Sequence, residues 1–263
     1  MIARCQMNRS APERNIRLLL FDLDGTLLDS GKRISQRNLA AIAECRRKGI
    51  MIGVATARSE STCARFVREI EPDLLISNSG ALVRLRGKII YECGFNAAET
   101  SAIINAGVAE HRGITADCAD VTYTNRYIEF FHESGMEYTD FSGFSRSCFK
   151  ICIEGTDAEF ADRTAALVED CSWLAFSDCD WFKFSKGGVS KGDALRHVVS
   201  STGIPAENMA AFGDDFVDNE MLDLCGVGIA MSNAVDEVKK HADVVIDDND
   251  SDAIAEYLHL HVL

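Results

Sequence analysis

The sequence of 263 residues has only three prolines, lacks any long apolar run, and is short of positive charge. The scarcity of proline excludes a proline-rich linker. The apolar blocks, such as residues 18–21, are far shorter than the roughly 20 residues that a membrane-spanning helix needs. The first residues also contain no apolar run of signal-peptide length. We therefore expect a cytoplasmic protein with an N-terminal extension over residues 1–15.

Charge and cysteine content exclude further classes. Lys and Arg number 27 against 41 Asp and Glu, for a net charge of −14. An acidic surface repels nucleic acids and anionic membranes, so we expect neither as a partner. The ten cysteines include no C-x-x-C pair, and Cys148 and Cys152 lack nearby paired histidines. This pattern favours reduced thiols over structural zinc or a disulfide framework.

Several short apolar runs end abruptly in an acidic, hydroxyl or amide residue. Continuous apolarity predicts strands that are covered on both faces, as in a parallel sheet. Helical spacing over residues 35–48 and 59–70 separates the first three runs. This succession predicts a doubly wound α/β sheet. The runs are residues 18–22, 50–56, 74–78, 209–214 and 244–247.

Four of these runs end in Asp22, Thr56, Asn78 and Asp214. In an open α/β sheet, ligands bind beyond the carboxyl ends of the strands, where the N-termini of the following helices point. We therefore expect a functional site at this edge of the sheet.

The pattern changes between residues 84 and 185. Amphipathic strands are predicted over 88–92 and 123–131, helices over 97–110 and 158–168, and another strand over 149–153. This segment reads as an α/β domain inserted into the parent sheet. The predicted core then comprises residues 16–83 and 186–263, and the predicted insert comprises residues 84–185.

The residues at the strand ends suggest a cation site beside an anion cradle. Asp22 and Asp24 flank one residue in a D-x-D-G-T run, where Gly25 lets the chain turn sharply. A D-x-D alone is better explained as a solvated strand end, and Lys191 alone also suits an exposed first helical turn. Together with the hydroxyl of Thr56 and the carboxylates of residues 213–218, they favour phosphate binding. Oxygen-only donors indicate Mg²⁺ rather than zinc.

These motifs resemble those of the haloacid dehalogenase superfamily of phosphatases. The D-x-D-G-T at residues 22–26, Thr56, Lys191 and the G-D-D-x-x-D at residues 213–218 match its four motifs in order. An insert between the second and third motifs resembles the C2B cap of the Cof-type members. The segments 78–81, 188–192 and 232–239 are also similar to Cof-type sequences. The resemblance implies a Rossmann-like core, a cap that sets substrate specificity, and a Mg²⁺-dependent phosphomonoesterase.

The resemblance also implies the role of each site residue. Asp22 would attack phosphorus and become an aspartyl-phosphate, while Asp24 protonates the leaving oxygen and later deprotonates water. Keeping Asp24 protonated near pH 7 requires about 4 kcal/mol of stabilisation, which a closed, desolvated pocket would supply. Thr56, Ala57 and Lys191 would bind the phosphoryl group. The implied Mg²⁺ ligands are Asp22, the Asp24 carbonyl and Asp214, with Asp218 or Asp215 acting directly or through water.

Two departures from the Cof-type pattern concern substrate binding. Val217 stands where these proteins commonly have an asparagine that helps to hold the phosphoryl group. Lys183 stands where they often have an acidic residue. Both leave substrate choice open.

The expected substrate is a small phosphorylated metabolite, above all a sugar phosphate. Acidic and aromatic residues of the insert, which include Tyr123 and Trp181, suit a polyhydroxy ligand. The residues named for this ligand are Asp120, Tyr123, Glu129, Trp181 and Phe182. For Trp173, Trp181, Phe182 and Phe184, packing in the core of the cap is favoured over an aromatic subsite.

Other functions remain open at this stage. A phosphomutase or phosphotransferase would use the same aspartyl-phosphate. A non-catalytic binding protein would use the same scaffold. A response-regulator-like domain has its acidic pair before the phosphoacceptor and is about half as long, which this sequence contradicts. We interpret residues 226–228 as a backbone turn rather than a dinucleotide fingerprint.

Overall fold

The computed structural model describes residues 15–126, 136–176 and 179–263. Most of the predicted N-terminal extension, Glu129 and the second half of the predicted strand at 123–131 lie outside the described residues. Two compact units are present. Unit 1 comprises the described residues up to Ala57, Phe66–Tyr91 and Ser190–Leu263, and unit 2 comprises Arg58–Arg65 and the described residues of Glu92–Val189. None of the described helices is long and apolar enough to span a membrane.

The secondary structure alternates between strands and helices along much of the chain. The described strands are β1 (Leu18–Phe21), β2 (Met51–Ala55), β3 (Leu74–Ser77), β4 (Leu82–Leu85), β5 (Lys88–Glu92), β6 (Ile114–Asp117), β7 (Thr122–Thr124), β8 (Met136–Tyr138), β9 (Lys150–Glu154), β10 (Cys171–Ala175), β11 (Trp181–Lys186), β12 (Met209–Gly213), β13 (Val227–Met231) and β14 (Val244–Ile246). The described α-helices are α1 (Gln36–Arg47), α2 (Glu60–Ile70), α3 (Ala97–Ala109), α4 (Ala158–Ala165), α5 (Lys191–Thr202), α6 (Asn219–Leu224), α7 (Asp236–His241) and α8 (Ala253–His261).

Unit 1 is built on an eight-stranded sheet with the order β14-β13-β12-β1-β2-β3-β4-β5. The six strands from β14 to β3 are parallel to their neighbours, and β4 pairs antiparallel to β3. Every residue of β1, β3 and β12 is buried, which explains their continuous apolar sequence. The predicted α/β fold with a parallel sheet is therefore confirmed.

The strand order reverses at β1. From β1 the chain proceeds to β2 and β3 on one side, whereas β12, β13 and β14 lie on the other side. A ligand crevice forms at such a reversal, beyond the carboxyl ends of the two central strands. Asp22 follows β1 and Asp214 follows β12, so the topology places both carboxylates there.

One strand of this sheet contradicts the interpretation of its sequence. Residues 226–228 read as a backbone turn, but Val227 and Gly228 begin β13, which pairs with β12. The glycines are needed because neighbouring backbone is very close: a Cβ at Gly228 would lie 2.7 Å from the Leu222 carbonyl oxygen, and one at Gly226 would lie 2.1 Å from that of Glu207. Close packing, not a turn, is therefore the reason for this glycine pair.

Unit 2 contains a six-stranded sheet with the order β10-β11-β9-β6-β7-β8. Its pairs are antiparallel except for β7 with β8. An apolar cluster from α3, α4 and this sheet forms its core and includes Ile103, Phe160 and Phe184.

The insert was predicted to lie between residues 83 and 186. In the structure, the boundaries between the units fall after Tyr91 and after Val189. The first difference arises because β4 and β5 continue the sheet of unit 1. The assignment of a core and a cap stays a prediction.

Candidate active site

Four polar residues lie at the carboxyl ends of neighbouring strands. The backbone ladder continues past the strand ends, because the Asp22 N–H donates to the Phe212 carbonyl at 3.0 Å and the Thr56 N–H donates to the Ile76 carbonyl at 2.8 Å. Asp22 and Thr56 are almost fully buried, and Asn78 is 1% exposed. The fourth residue, Asp214, follows β12 and is half-buried. The sheet therefore gathers the four residues at one edge, as the strand pattern predicted.

The loop after β1 contacts the end of β12. The Thr26 hydroxyl donates to Asp214 Oδ1 at 2.8 Å. Gly25 has a φ of +79°, and a Cβ at this position would lie 2.2 Å from Asp214 Oδ2. Only glycine satisfies both the left-handed backbone and the close approach of the carboxylate.

Lys191 is buried between two carboxylates. Its Nζ donates to Asp22 Oδ1 and to Asp218 Oδ1, both at 2.6 Å, and its side chain has no exposed surface. The exposed first-turn lysine considered from the sequence is therefore excluded. Burial lowers the pKa of Lys191, but the two carboxylates outweigh this effect and hold the pKa above its usual value. The lysine is thus a fixed positive charge.

The Lys191 backbone is set by the start of α5. The Ser190 hydroxyl accepts a hydrogen bond from the Asp193 N–H at 3.0 Å and so caps the helix. Because Lys191 is the first residue of α5, its side chain starts from the helix terminus.

Three carboxylates form an acidic cluster. Asp22, Asp214 and Asp218 each offer an oxygen, and these oxygens lie within 4.8 Å of one another. Burial raises the pKa of Asp214 to about 7. Burial also raises the pKa of Asp22, although the charge of Lys191 opposes this effect. Three carboxylates beside one lysine are thus unfavourable as charged groups in this buried place, and a bound cation would favour their charged forms.

Asp218 uses both carboxylate oxygens within the protein. Oδ1 accepts from Lys191, and Oδ2 accepts from the backbone N–H groups of Asp214 at 3.1 Å and Asp215 at 3.2 Å. These bonds fix both the lysine and the loop after β12. Asp215 is exposed, and its Oδ1 accepts from the Phe216 N–H.

Asp24 lies apart from the acidic cluster. Its side chain is 39% exposed, and Oδ1 accepts a hydrogen bond from Lys32 Nζ at 2.8 Å. The desolvation expected for this carboxyl is therefore not present in the structure. No sequence signal pointed to Lys32 as its partner.

Thr56 and Ala57 precede the first turn of α2. The Thr56 carbonyl accepts from the Ser79 N–H at 3.1 Å, which joins the ends of β2 and β3. The Ser59 hydroxyl accepts from the Thr62 N–H at 3.3 Å near the helix start. Ala57 is half-buried. The Thr56–Ala57 segment is thus held by the neighbouring strand end.

Asn78 has an unusual environment for a polar residue. Neither Nδ2 nor Oδ1 has a hydrogen-bond partner among the described residues, and both atoms are buried. Asn78 and Ser79 both have left-handed backbones, with φ values of 52° and 59°. The sequence predicted the location of Asn78 at a strand end but not its unpaired amide.

The aromatic residues of unit 2 serve largely as packing. Phe182 and Phe184 lie in the apolar core, and Trp173 contacts the Phe182 ring edge-on at 5.3 Å. The Tyr123 hydroxyl accepts from Arg146, and its ring packs against Phe144. Phe182 and Phe184 therefore pack in the core of unit 2, and Trp173 packs against it.

The two aromatic residues predicted to contact substrate are half-buried. Trp181 begins β11, and Tyr123 lies in β7. Their role in specificity stays a prediction.

A cavity of about 340 Å³ lies at the other end of the sheet of unit 1. Its lining includes Arg17 before β1, Met51 at the start of β2 and Asp73 before β3. These are the amino ends of the strands, so the cavity is separate from the candidate site.

Comparison with known proteins gives a consistent result. A family model described as haloacid dehalogenase-like hydrolase matches residues 19–258. The pyridoxal phosphate phosphatase YbhA of Escherichia coli is 27% identical in an alignment that covers 94% of this chain and 99% of the relative. The 5-amino-6-(5-phospho-D-ribitylamino)uracil phosphatase YcsE of Bacillus subtilis is 28% identical, in an alignment that covers 95% of this chain and 97% of the relative.

Solved structures share the fold. A haloacid dehalogenase-like hydrolase from Bacteroides thetaiotaomicron has a TM-score of 0.83 at 23% identity, covering 93% of this chain and 99% of that one. A sugar phosphatase of subclass IIB has a TM-score of 0.79 at 21% identity, covering 94% and 100%. The resemblance to the superfamily and its Cof-type group, predicted from the motifs, is confirmed.

Proposed function

The chain belongs to the haloacid dehalogenase-like hydrolase family, and from this premise we propose that it is a Mg²⁺-dependent phosphatase of small phosphorylated metabolites. The two curated relatives described above are phosphatases of small phosphorylated compounds. The chain is therefore a phosphatase of this superfamily. The proposed parts are its metal, its substrate and the role of each residue.

The buried contact between Lys191 and Asp22 carries the proposal. A carboxylate at the sheet edge is paired at 2.6 Å with a cation that has no exposed surface. Taking both charges out of water costs several kcal/mol per ion, so a buried ion pair contributes little net stability to the fold. This cost favours a functional role for the pair. A nucleophile that must stay ionised beside a dianionic phosphoryl group needs such a cation.

In the first step, an Asp22 carboxylate oxygen attacks phosphorus. The new O–P bond forms as the bond from phosphorus to the leaving oxygen breaks, and Asp24 donates a proton to that oxygen. The products of this step are an aspartyl-phosphate and an alcohol.

In the second step, water attacks the phosphorus of the aspartyl-phosphate. Asp24 accepts a proton from this water, the bond from phosphorus to Asp22 breaks, and inorganic phosphate leaves. The Thr56 hydroxyl, the Ala57 N–H and Lys191 bind the phosphoryl oxygens in both steps. Val217 has no side-chain donor, so these groups carry the phosphoryl contacts.

The donor set fits Mg²⁺. The cluster offers only oxygens, which are the ligands of this ion, and the raised pKa values of Asp22 and Asp214 support the proposal of a cation here. Asp22, Asp214 and the Asp24 carbonyl would hold the ion. Because both oxygens of Asp218 already accept protein hydrogen bonds, this residue positions Asp214 and Lys191. When bound, Mg²⁺ neutralises charge on the phosphoryl oxygens.

We favour sugar phosphates or similarly polar phosphomonoesters as substrates. The acidic and aromatic content of residues 84–185 supports this choice, and a subclass IIB neighbour in fold is a sugar phosphatase. A phosphomutase or phosphotransferase remains the second candidate, because the aspartyl-phosphate can also react with an alcohol.

A panel of phosphorylated metabolites tests the proposal. Phosphate release should appear with sugar phosphates in Mg²⁺ and disappear in excess chelator, returning when Mg²⁺ is restored. A rearranged or transferred phosphoester without inorganic phosphate would instead establish the mutase or transferase. Full activity in chelator, or no turnover of any phosphoester, would overturn the proposal.

A further inference from the structure

Two cysteine side chains in unit 2 lie against each other. The Sγ atoms of Cys118 and Cys148 are 3.1 Å apart, although 30 positions separate them in the sequence. Cys118 directly follows β6, and Cys148 lies two positions before β9. These strands are antiparallel neighbours, with Asp117 opposite Lys150. The contact is therefore built by sheet pairing.

We propose that Cys118 and Cys148 are a site of reversible oxidation, at which a small peroxide converts the two thiols into an intramolecular disulfide. Hydrogen bonds hold both backbones in place before reaction. Phe95 and Cys148 exchange N–H···O bonds of 2.7 and 3.1 Å, and the Cys118 N–H donates to Val121 at 3.0 Å. The sulfurs need little displacement to form the bond.

The two cysteines differ in ways that assign their roles. Cys118 is 3% exposed and lies beside exposed Ala119 and Asp120, so a small reagent reaches it after a local opening of that turn. The hydrogen bond with Cys148 lowers the pKa of Cys118, and the charge of Arg146 acts in the same direction. The same contact and burial raise the pKa of Cys148. Because Cys118 borders the exposed turn, it is the thiol that the reagent meets first, and Cys148, which is held behind it by Phe95, is the resolving thiol.

The reaction balances with hydrogen peroxide as the oxidant. The Cys118 thiolate attacks one peroxide oxygen, the O–O bond breaks, and a sulfenic acid and water form after proton transfer. The Cys148 sulfur then attacks the Cys118 sulfur, an S–S bond forms, and the S–O bond breaks to release a second water. Together the two thiols lose two electrons to the peroxide, and both thiol protons leave in water.

Two other buried thiols, Cys45 and Cys225, have pKa values shifted the opposite way. Burial raises the pKa of Cys45 to about 11 and that of Cys225 to about 12. These thiols stay protonated at neutral pH and react slowly. Cys179 is exposed and reports whether the oxidant was active.

Peptide mapping of the peroxide-treated full-length protein tests the site. Trypsin cleavage after Arg112, Arg126, Arg146 and Lys150 places Cys118 alone in peptide 113–126 and Cys148 alone in peptide 147–150. We expect these two peptides to be joined, with a loss of two hydrogen atoms, and to separate after dithiothreitol treatment. We also expect the oxidised protein to unfold at a higher Tm than the reduced protein, because the bond closes a loop of the unfolded chain.

Single-cysteine variants distinguish the roles. Cys148→Ser should leave a sulfenic acid at Cys118 that dimedone captures. Cys152→Ser, which changes a buried thiol on β9 outside the proposed pair, should leave the crosslink intact. The proposal is overturned if peptides 113–126 and 147–150 stay unlinked while Cys179 is fully oxidised. A link from Cys118 to a different cysteine would overturn it as well. These outcomes do not depend on the phosphatase activity.

Discussion

Lys191 is the residue that joins the parts of the candidate site. Its ammonium group contacts Asp22 after β1 and Asp218 after β12, and none of its side chain is exposed. Each carboxylate would otherwise be a buried charge without a cation in the protein. Lys191 therefore contributes to the fold as well as to phosphoryl binding.

We expect Lys191→Met to lower the free energy of unfolding by about 3–5 kcal/mol, because it leaves two buried carboxylates unpaired. The loss should be greater at pH 8 than at pH 5. Burial raises the folded pKa of Asp22, so this carboxyl takes up a proton at low pH and its charged form costs stability as the pH rises. Urea unfolding at the two pH values measures this.

Lys32→Met is the matched control, since it removes a lysine whose ion pair with Asp24 is exposed. This change should cost less than about 1 kcal/mol at either pH. Equal losses for the two lysine variants would show that the buried pair has no special contribution.

At the scale of single elements, the loop after β1 shapes the site through one glycine. Gly25 combines a left-handed backbone with the close approach of Asp214. Gly49 has a similar φ of +85°, but a Cβ there would meet nothing within 4 Å. The two glycines thus separate the cost of backbone strain from that of a clash.

We expect Gly49→Ala to cost about 1–2 kcal/mol of stability, from the left-handed backbone alone. Gly25→Ala should cost more and should also weaken Mg²⁺ binding by about tenfold or more, because the new methyl group displaces an Asp214 oxygen. Urea unfolding and calorimetric Mg²⁺ titration measure the two effects. Unchanged Mg²⁺ affinity in Gly25→Ala would contradict the assigned role of Asp214.

The sequence was sufficient to predict the strands that carry the site, and the reason is physical. Strands buried on both faces are continuously apolar, so the polar residue that ends each one is conspicuous, as at Asp22 and Asp214. Contacts between distant residues leave no such signal. The Lys191 contact with Asp22 spans 169 positions, and the Asp24 contact with Lys32 depends on a loop conformation.

Elements with mixed burial were harder to predict. β10 has no fully buried residue, and β11 alternates only in part, so neither has a clear apolar pattern. β13 was missed for a different reason, since the glycines that admit neighbouring backbone resemble a turn. Tertiary packing, which a single segment does not encode, determined these elements.

At the scale of the whole molecule, two compact units share the chain. The residues proposed for phosphoryl transfer belong to unit 1, and the predicted cap residues Tyr123 and Trp181 belong to unit 2. A phosphoryl site by itself does not recognise the leaving group. We therefore expect unit 2 to determine substrate choice.

We expect Trp181→Ala and Tyr123→Phe to change the ratio of kcat/KM values between sugar phosphates by about tenfold. Their activity on a small aryl phosphate should change much less, because that substrate has no sugar to recognise. Tyr138→Phe is the control, since Tyr138 is 74% exposed in the same unit. A uniform effect on every substrate would remove unit 2 as the specificity element.

Phosphate release by Asp22→Asn shows whether Asp22 is the nucleophile of a phosphatase. The amide is nearly isosteric with the carboxylate but cannot form an aspartyl-phosphate. Measured in Mg²⁺ on the best substrate of the panel, this variant should release phosphate at below about 1% of the wild-type rate, as for loss of a covalent nucleophile. Asp236→Asn, at a side chain that is 98% exposed, should retain full activity. A folded Asp22→Asn protein that keeps a substantial part of the wild-type rate would contradict the account.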